Sequence, residues 1–335
     1  MAIDTLILVA ALFVILGGSS LFTNALEHLG ERMGLSQGVV GSIFAAVGTA
    51  LPETAVPIVA VLTGGRQAGH EIGVGAIVGA PLMLATLAFF LLGAMALLRR
   101  GVTATVAPEA TGLRRDLRFF LLAFVLAVVA LYVPHELRWA RATIAFVLVA
   151  LYVLYLWRTL RVSRSLVAEG HGTEADKPLL AGRLGLPTGG AVTMLQLLVG
   201  LGLIVAGARG FVVGITGISV AIGLSPLFLA LAIVPFATEL PEKMNSLIWL
   251  ARGRDTLAVG NVTGALVFQS TLLPALGVLL TPWQPRFDVR LAMGVTLIAG
   301  AWLLMLSRAK RIPALALLLN GAAYTVYFVL LFAHR

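Results

Sequence analysis

The sequence predicts an all-α, polytopic membrane protein with about ten transmembrane helices in two inverted five-helix repeats. Three observations carry that reading: composition, the spacing of apolar runs, and self-similarity at one offset. Of 335 residues, 59% are hydrophobic and only 12% charged, and the mean hydropathy is +1.00. A soluble domain carries roughly 25% charged residues, and a disordered chain carries more. Neither class fits. A span takes about 20 residues, which leaves room for about ten spans plus loops. The 36 glycines suit close-packed membrane helices. The absence of cysteine removes disulfides, thiolate metal sites and cysteine nucleophiles together.

Taken in order, the apolar stretches place helices over Asp4–Leu26, Gln37–Leu62, Glu71–Leu98, Asp116–Val133 and Arg138–Leu156. A second set follows over Gly190–Phe211, Ser225–Leu250, Thr256–Leu280, Leu291–Leu306 and Ala314–Phe332. The first stretch has no basic flank, and its apolar run continues past any plausible cleavage point, so it reads as a retained span. The one hydrophilic link of any length, Arg158–Pro187, reads as a linker between the halves. The organisation expected is therefore residues 1–157, a cytoplasmic linker at 158–189, and residues 190–335.

The net charge of +9 and pI near 10.8 would suggest a nucleic-acid partner in a soluble protein. In a membrane protein they report orientation, because Lys and Arg accumulate in cytoplasmic loops. Sixteen of the 24 basic residues fall in the odd-numbered links and seven on the other side, with Lys243 inside a span. Both termini of a multi-pass cell-membrane protein are then expected on the extracytoplasmic side, with the lipid bilayer as partner and no nucleic acid.

The halves resemble each other. Gly34-Leu35-Ser36, Thr49, Leu51-Pro52-Glu53 and Gly64 lie 189 positions before Gly223-Leu224-Ser225, Thr238, Leu240-Pro241-Glu242 and Gly253. A four-residue gap then brings Gly75, Gly79, Ala80 and Thr86 onto Gly260, Gly264, Ala265 and Thr271. Five spans per half is odd, so the second half enters the membrane from the opposite side. This is the inverted repeat of secondary transporters, with substrate held midway between the repeats.

Most spans lack acids. The exceptions are Thr49-Ala50-Leu51-Pro52-Glu53 and Thr238-Glu239-Leu240-Pro241-Glu242-Lys243. An ionisable group at bilayer depth costs about 2.5–3.5 kcal/mol and marks a functional site. Thr49 and Glu53 are four apart, as are Thr238 and Glu242, so each pair shares a helix face. Pro52 and Pro241 each remove a helix hydrogen bond, and broken helices are expected there, exposing carbonyl oxygens beside carboxylates. Hard oxygen ligands suit Ca²⁺, Na⁺ or a proton. The alternative for the glutamates is a neutral, buried, hydrogen-bonded role. Lys243 is either a counter-charge to Glu239 or Glu242, or snorkels to water. Gly75-xxx-Gly79 and Gly260-xxx-Gly264 read as close-packing stripes. Asn261, Gln269 and Ser270 are candidate polar partners, and Asn24 and Gln196 read as an interhelical hydrogen bond. The five histidines sit at loops or span ends and read as surface.

These motifs resemble the two alpha repeats of the cation/calcium exchanger superfamily, in particular its prokaryotic sodium/calcium exchanger-like branch. Gly17 to Glu53 resembles the first repeat, with its Gly-Thr-Ser-Leu-Pro-Glu signature, and Gly207 to Glu242 the second. The resemblance implies ten spans, alternating access and electrochemically driven cation exchange. Glu53 and Glu242 match the two central ion-coordinating glutamates, and Thr49 and Thr238 the flanking threonines. Departures are Ala50 and Glu239 in place of the family's serines, and loss of the Gly-Ser-Asn-x-x-Asn/Asp ligands at Gly79–Leu84. Gln269 keeps only an amide at the acidic position of the eighth span. A three-Na⁺ stoichiometry therefore does not carry over.

The expected function is a secondary antiporter exchanging Ca²⁺ or a related divalent cation for Na⁺ or H⁺, with no cofactor beyond the transported cations. Candidate ion-binding residues are Glu53, Glu242, Thr49, Thr238, Glu239 and Gln269. Alternatives are a same-fold transporter of a non-calcium substrate and a non-transporting scaffold or sensor. No nucleophile elbow, metal cluster or phosphate loop supports an enzyme. Oligomeric state stays open.

Overall fold

The computed structural model describes residues 1–32, 45–167, 178–185 and 189–334. It is nearly all helical, as composition requires: a chain in lipid must satisfy its backbone within each segment. In chain order the helices are α1 (Ala2–Arg32), α2 (Ala45–Thr63), α3 (His70–Met83), α4 (Phe89–Arg100), α5 (Ala110–Ala130) and α6 (Arg138–Val167). They continue with α7 (Gly190–Ile222), α8 (Pro226–Thr238), α9 (Leu240–Ala251), α10 (Asp255–Leu280), α11 (Phe287–Leu306) and α12 (Ala314–Ala333). Seven stretches among the described residues are long and apolar enough to cross a bilayer: Ala2–Leu26, Gln67–Arg100, Arg138–Thr159, Gly190–Ile222, Asp255–Leu280, Phe287–Leu306 and Ala314–Ala333. The start of the second expected helix, Gln37 to Phe44, and the Gly34-Leu35-Ser36 motif lie outside the described residues. α6 runs on to Val167, well into the expected linker.

Two compact units form, and each draws on both halves of the sequence. The first comprises Met1–Gly69 and Val153–Leu224; the second comprises His70–Tyr152 and Ser225–Arg335.

The first unit is built on α1 and α7, of 31 and 33 residues. At 1.5 Å per residue each is longer than the ~30 Å of a hydrocarbon core. They lie against each other with a seven-residue rhythm. A Cβ at Gly200 would sit 2.7 Å from the Phe22 nitrogen, one at Gly207 2.7 Å from Ile15 Cγ1, and one at Gly214 2.9 Å from Leu8 Cβ. Partner numbers fall by seven as glycine numbers rise by seven, so the helices run antiparallel at the shallow crossing a heptad repeat imposes. Near one end of the seam, Gln196 Nε2 donates to Asn24 Oδ1 (3.0 Å) and to the Leu21 carbonyl (2.9 Å). Asn24 Oδ1 and Gln196 Oε1 accept from the backbone of Leu180 and Ala181, which ties the short 3-10 turn Leu180–Leu184 to both helices. The interhelical hydrogen bond read from sequence is therefore present. Leu51 and Ala55 of α2 pack on Phe22, Leu26 and Ile204.

The second unit centres on α10. At its N-terminus Arg100 makes a two-pronged contact with Asp255 (2.6 and 2.9 Å). At its C-terminus Arg141 donates to the carbonyls of Val278, Thr281 and Pro282 at 2.6–3.1 Å. Helix ends leave four carbonyls without intrahelical partners, and Arg141, only 4% exposed, takes up this role here. α5 begins at Ala110, earlier than its apolar run, because the Glu109 carboxylate caps it by accepting from Thr111 and Gly112. Partial burial opposes ionisation of Glu109, but those two N–H groups, with the Thr111 hydroxyl and the charge of Arg115, outweigh it and hold its pKa below the ordinary carboxylate value. The early start carries Asp116 inside the helix, where it is buried and accepts from Thr263 of α10 (2.8 Å). A short antiparallel pair, β1 (Thr105–Val106) with β2 (Ile312–Pro313), joins the α4–α5 and α11–α12 connections.

α3 and α4 run together through a π turn at Leu84–Ala88. Pro81 precedes it, and the Ala85 carbonyl in the turn accepts from Asn320 Nδ2 (2.7 Å). The Gly75/Gly79 stripe packs as the sequence predicts: added Cβ atoms would fall 2.6 Å from Ala230 Cβ and 2.6 Å from the Leu231 carbonyl of α8. Pro235, lacking an N–H, cannot pair with that Leu231 carbonyl, so Gly79 approaches a backbone oxygen left without its helical donor. Gly260 differs, with open space around it. Gly79→Val is expected to lower stability by about 1–3 kcal/mol, read as an earlier midpoint of denaturant unfolding in detergent. Gly260→Ala should be close to neutral in the same measurement.

Candidate functional site

The expected break appears in the second half. α8 ends at Thr238 and α9 begins at Leu240, with Glu239 between them at φ −92°, ψ 0°. Pro235 and Pro241 flank it, and each lacks the N–H that would continue the ladder. The Glu239 N–H reaches the Pro235 carbonyl and its own carbonyl accepts from the Lys243 N–H, both at 3.1 Å. The first half behaves differently. α2 is continuous through Pro52 and Pro57, because a proline removes one hydrogen bond and bends a helix without having to end it.

The break puts Glu239 at the N-terminus of α9, where the helix dipole favours a negative charge. Its side chain does not cap the helix. Lys243 Nζ lies 2.8 Å from Oε2, and Gln269 Nε2 of α10 donates to Oε1 at 3.1 Å. The ammonium also touches Met83 Sδ (2.7 Å) and lies 3.5 Å from the Pro235 carbonyl. Glu239 is fully buried and Lys243 is 6% exposed. Two charges at that depth persist only if paired. Lys243 is thus a counter-charge to Glu239 and, buried as it is, does not snorkel to water.

The other candidates are distributed as follows. Glu53, 4% exposed, lies on α2 in the first unit. Thr238 is buried on α8, its hydroxyl donating to the Val234 carbonyl (3.0 Å). Gln269 joins Glu239, as above. Thr49 and Glu242 lie on α2 and α9, and their side chains fall outside the described residues. Asn261 pairs with Ser246 of α9 (2.9 Å), while Ser270 bonds to the Val267 carbonyl of its own helix. Among the described residues, no three histidine or acidic side chains gather as a metal cluster.

The sequence reading missed Met83 and Asp116. Met83 carries no ionic signal and is recognisable only once α3 is packed near α9. Asp116 stands at the first residue of an expected helix, behind Arg114 and Arg115, and the sequence does not show that the helix starts at Ala110 and carries Asp116 inside it.

Comparison with known proteins follows the same line. Residues 3–161 and 192–333 match the sodium/calcium exchanger protein family. The chain is 28% identical over 287 residues to the inner membrane protein YrbG of Escherichia coli K12, covering 85% of this chain and 82% of that one. Among solved structures, the H⁺/Ca²⁺ exchanger CAX superposes with a TM-score of 0.71 at 17% identity, over 98% of this chain and 82% of that chain. The sodium-calcium exchanger NCX_Mj superposes with a TM-score of 0.60 at 21% identity, over 98% of each. At those identities the two structures speak for the fold, and the family match covers most of the sequence. A chain that is nearly all helical, apolar along its length and broken at a buried acidic motif thus belongs to the sodium/calcium exchanger protein family.

Proposed function

We propose that the protein is a secondary active antiporter exchanging Ca²⁺ or a related divalent cation for Na⁺ or H⁺ by alternating access. In this reading residues 1–157 and 190–335 are the inverted five-helix repeats, and both termini face outward. Glu53 and Glu242 are the ion-coordinating carboxylates, assisted by oxygens of Thr49 and Thr238. The observation that carries the reading is the interrupted helix at Glu239: buried charge and a broken backbone ladder coincide within an apolar segment of a family member. Such half-helices supply carbonyl oxygens and dipole ends for ions in transporters. The two fold neighbours are exchangers with different counter-ions, so the counter-ion is a matter for experiment.

Reconstituted in liposomes, the protein should take up radiolabelled Ca²⁺ when an outward Na⁺ gradient or a pH gradient is imposed. Uptake with one gradient alone names the coupling ion. No uptake with either overturns the calcium reading. It would favour a same-fold transporter of another solute, for which the apolar Ala80, Pro81 and Leu84 on the third span already argue.

A further inference from the structure

We propose that the Lys243 ammonium is a built-in cation, held against Glu239 and fixing how much charge each exchange cycle moves. The inference rests on the exchange reading above and deepens it.

The surroundings of Nζ resemble those of a bound monovalent ion. Among the described residues, a carboxylate oxygen lies at 2.8 Å, a backbone carbonyl at 3.5 Å and the thioether sulfur of Met83 at 2.7 Å. Gln269 holds the opposite carboxylate oxygen at 3.1 Å, which fixes the acceptor's orientation. A buried carboxylate must be neutralised by a proton, a metal ion or a fixed positive group. Here the third solution is present, four residues away across the break between α8 and α9. Being covalently attached, it cannot leave with the substrate.

The sequence gives a second, independent observation. At the offset of 189, Glu239 corresponds to Ala50 and Lys243 to Thr54. The first half has neither charge, and the second half has both. An acid and a base present together at one turn, and absent together from its repeat, form an electrically neutral addition. Glu239 therefore takes no mobile cation, and the ions exchanged are those that Glu53 and Glu242 require.

The test measures flux in proteoliposomes under an imposed membrane potential, using Ca²⁺ and whichever counter-ion drives the parent protein. Lys243→Met leaves Glu239 to recruit one additional mobile cation, so its flux should shift in potential dependence by one charge per cycle. Glu239→Gln leaves the ammonium uncompensated in a buried site, and because a tethered charge returns with the protein in each cycle, it should slow flux without changing the charge moved per cycle. The double variant should regain the parental dependence. Where both single variants lose flux, the double variant decides: flux with the parental potential dependence supports the proposal, and a shifted dependence overturns it. An active Lys243→Met variant with the parental potential dependence overturns it. So does a double variant that inserts and folds, judged by its size-exclusion profile, but carries no flux. A parent protein silent to every gradient overturns the exchange reading itself, a result separate from either of these.

Discussion

Glu53→Gln and Glu242→Gln are each expected to reduce cation-driven uptake by at least about a hundredfold, roughly 2.7 kcal/mol in the barrier. The substitution keeps size and hydrogen-bonding reach but removes the charge that balances a divalent ion. Hard cations depend on carboxylate charge as well as on ligand number, and an amide oxygen supplies only the second. Expression should not fall. A neutral amide at bilayer depth avoids the ~2.5–3.5 kcal/mol insertion cost of an ionised side chain, so the variants should insert at least as well as the parent. Uptake assays normalised to protein recovered in the vesicles check both points. Two variants that transport normally would place the ion path elsewhere.

The largest expected loss of stability is at Arg141. Its guanidinium serves the carbonyls of Val278, Thr281 and Pro282 together, where α10 ends. Arg141→Met preserves the apolar stem and leaves buried acceptors without donors, each costing about 1–3 kcal/mol. Several such costs overlap, and a net loss of about 3–5 kcal/mol is expected, comparable to breaking a buried pair. The measurement is the midpoint of unfolding in mixed detergent micelles. Arg141→Lys should recover only part of the loss, because a compact ammonium lacks the planar fork that spans separate acceptors. Rescue equal to the parent would show that charge alone matters there.

The helix positions were legible because apolar runs and bilayer thickness leave little choice. Helix ends were less so. α5 begins at Ala110 and not at Asp116, since a cap at Glu109 decides the start and composition does not register caps. The break beside Pro241 was legible, and the matching one beside Pro52 was not realised, as α2 runs through it. The shared Leu-Pro-Glu thus has two backbone outcomes, and the second half differs from the first in carrying Pro235 and Glu239 where the first has Ala46 and Ala50. At the site, the acids were legible from their rarity in apolar spans. The identity of Lys243's partner was not, because Glu239 and Glu242 both lie within its reach along the chain. Nothing in the sequence sets Arg141 apart from the other basic residues near span ends, and its burial follows from where α10 ends.

The glycine seam between α1 and α7 has a mechanical consequence. At three levels, seven residues apart, glycine of one helix meets main-chain atoms of the other, which a Cβ there would approach within about 3 Å, joined at Gly207 by Ile15 Cγ1 and at Gly214 by Leu8 Cβ. Side chains can swing between rotamers to accommodate sliding, but backbone cannot. An axial slip of even one residue, about 1.5 Å, would drive Cβ atoms into the facing main chain at every level at once. The two longest helices thus constitute a single strut, stiff against shear along its length. Whatever movement the protein makes, this pair travels as one piece, and the deformation falls on the joints around it.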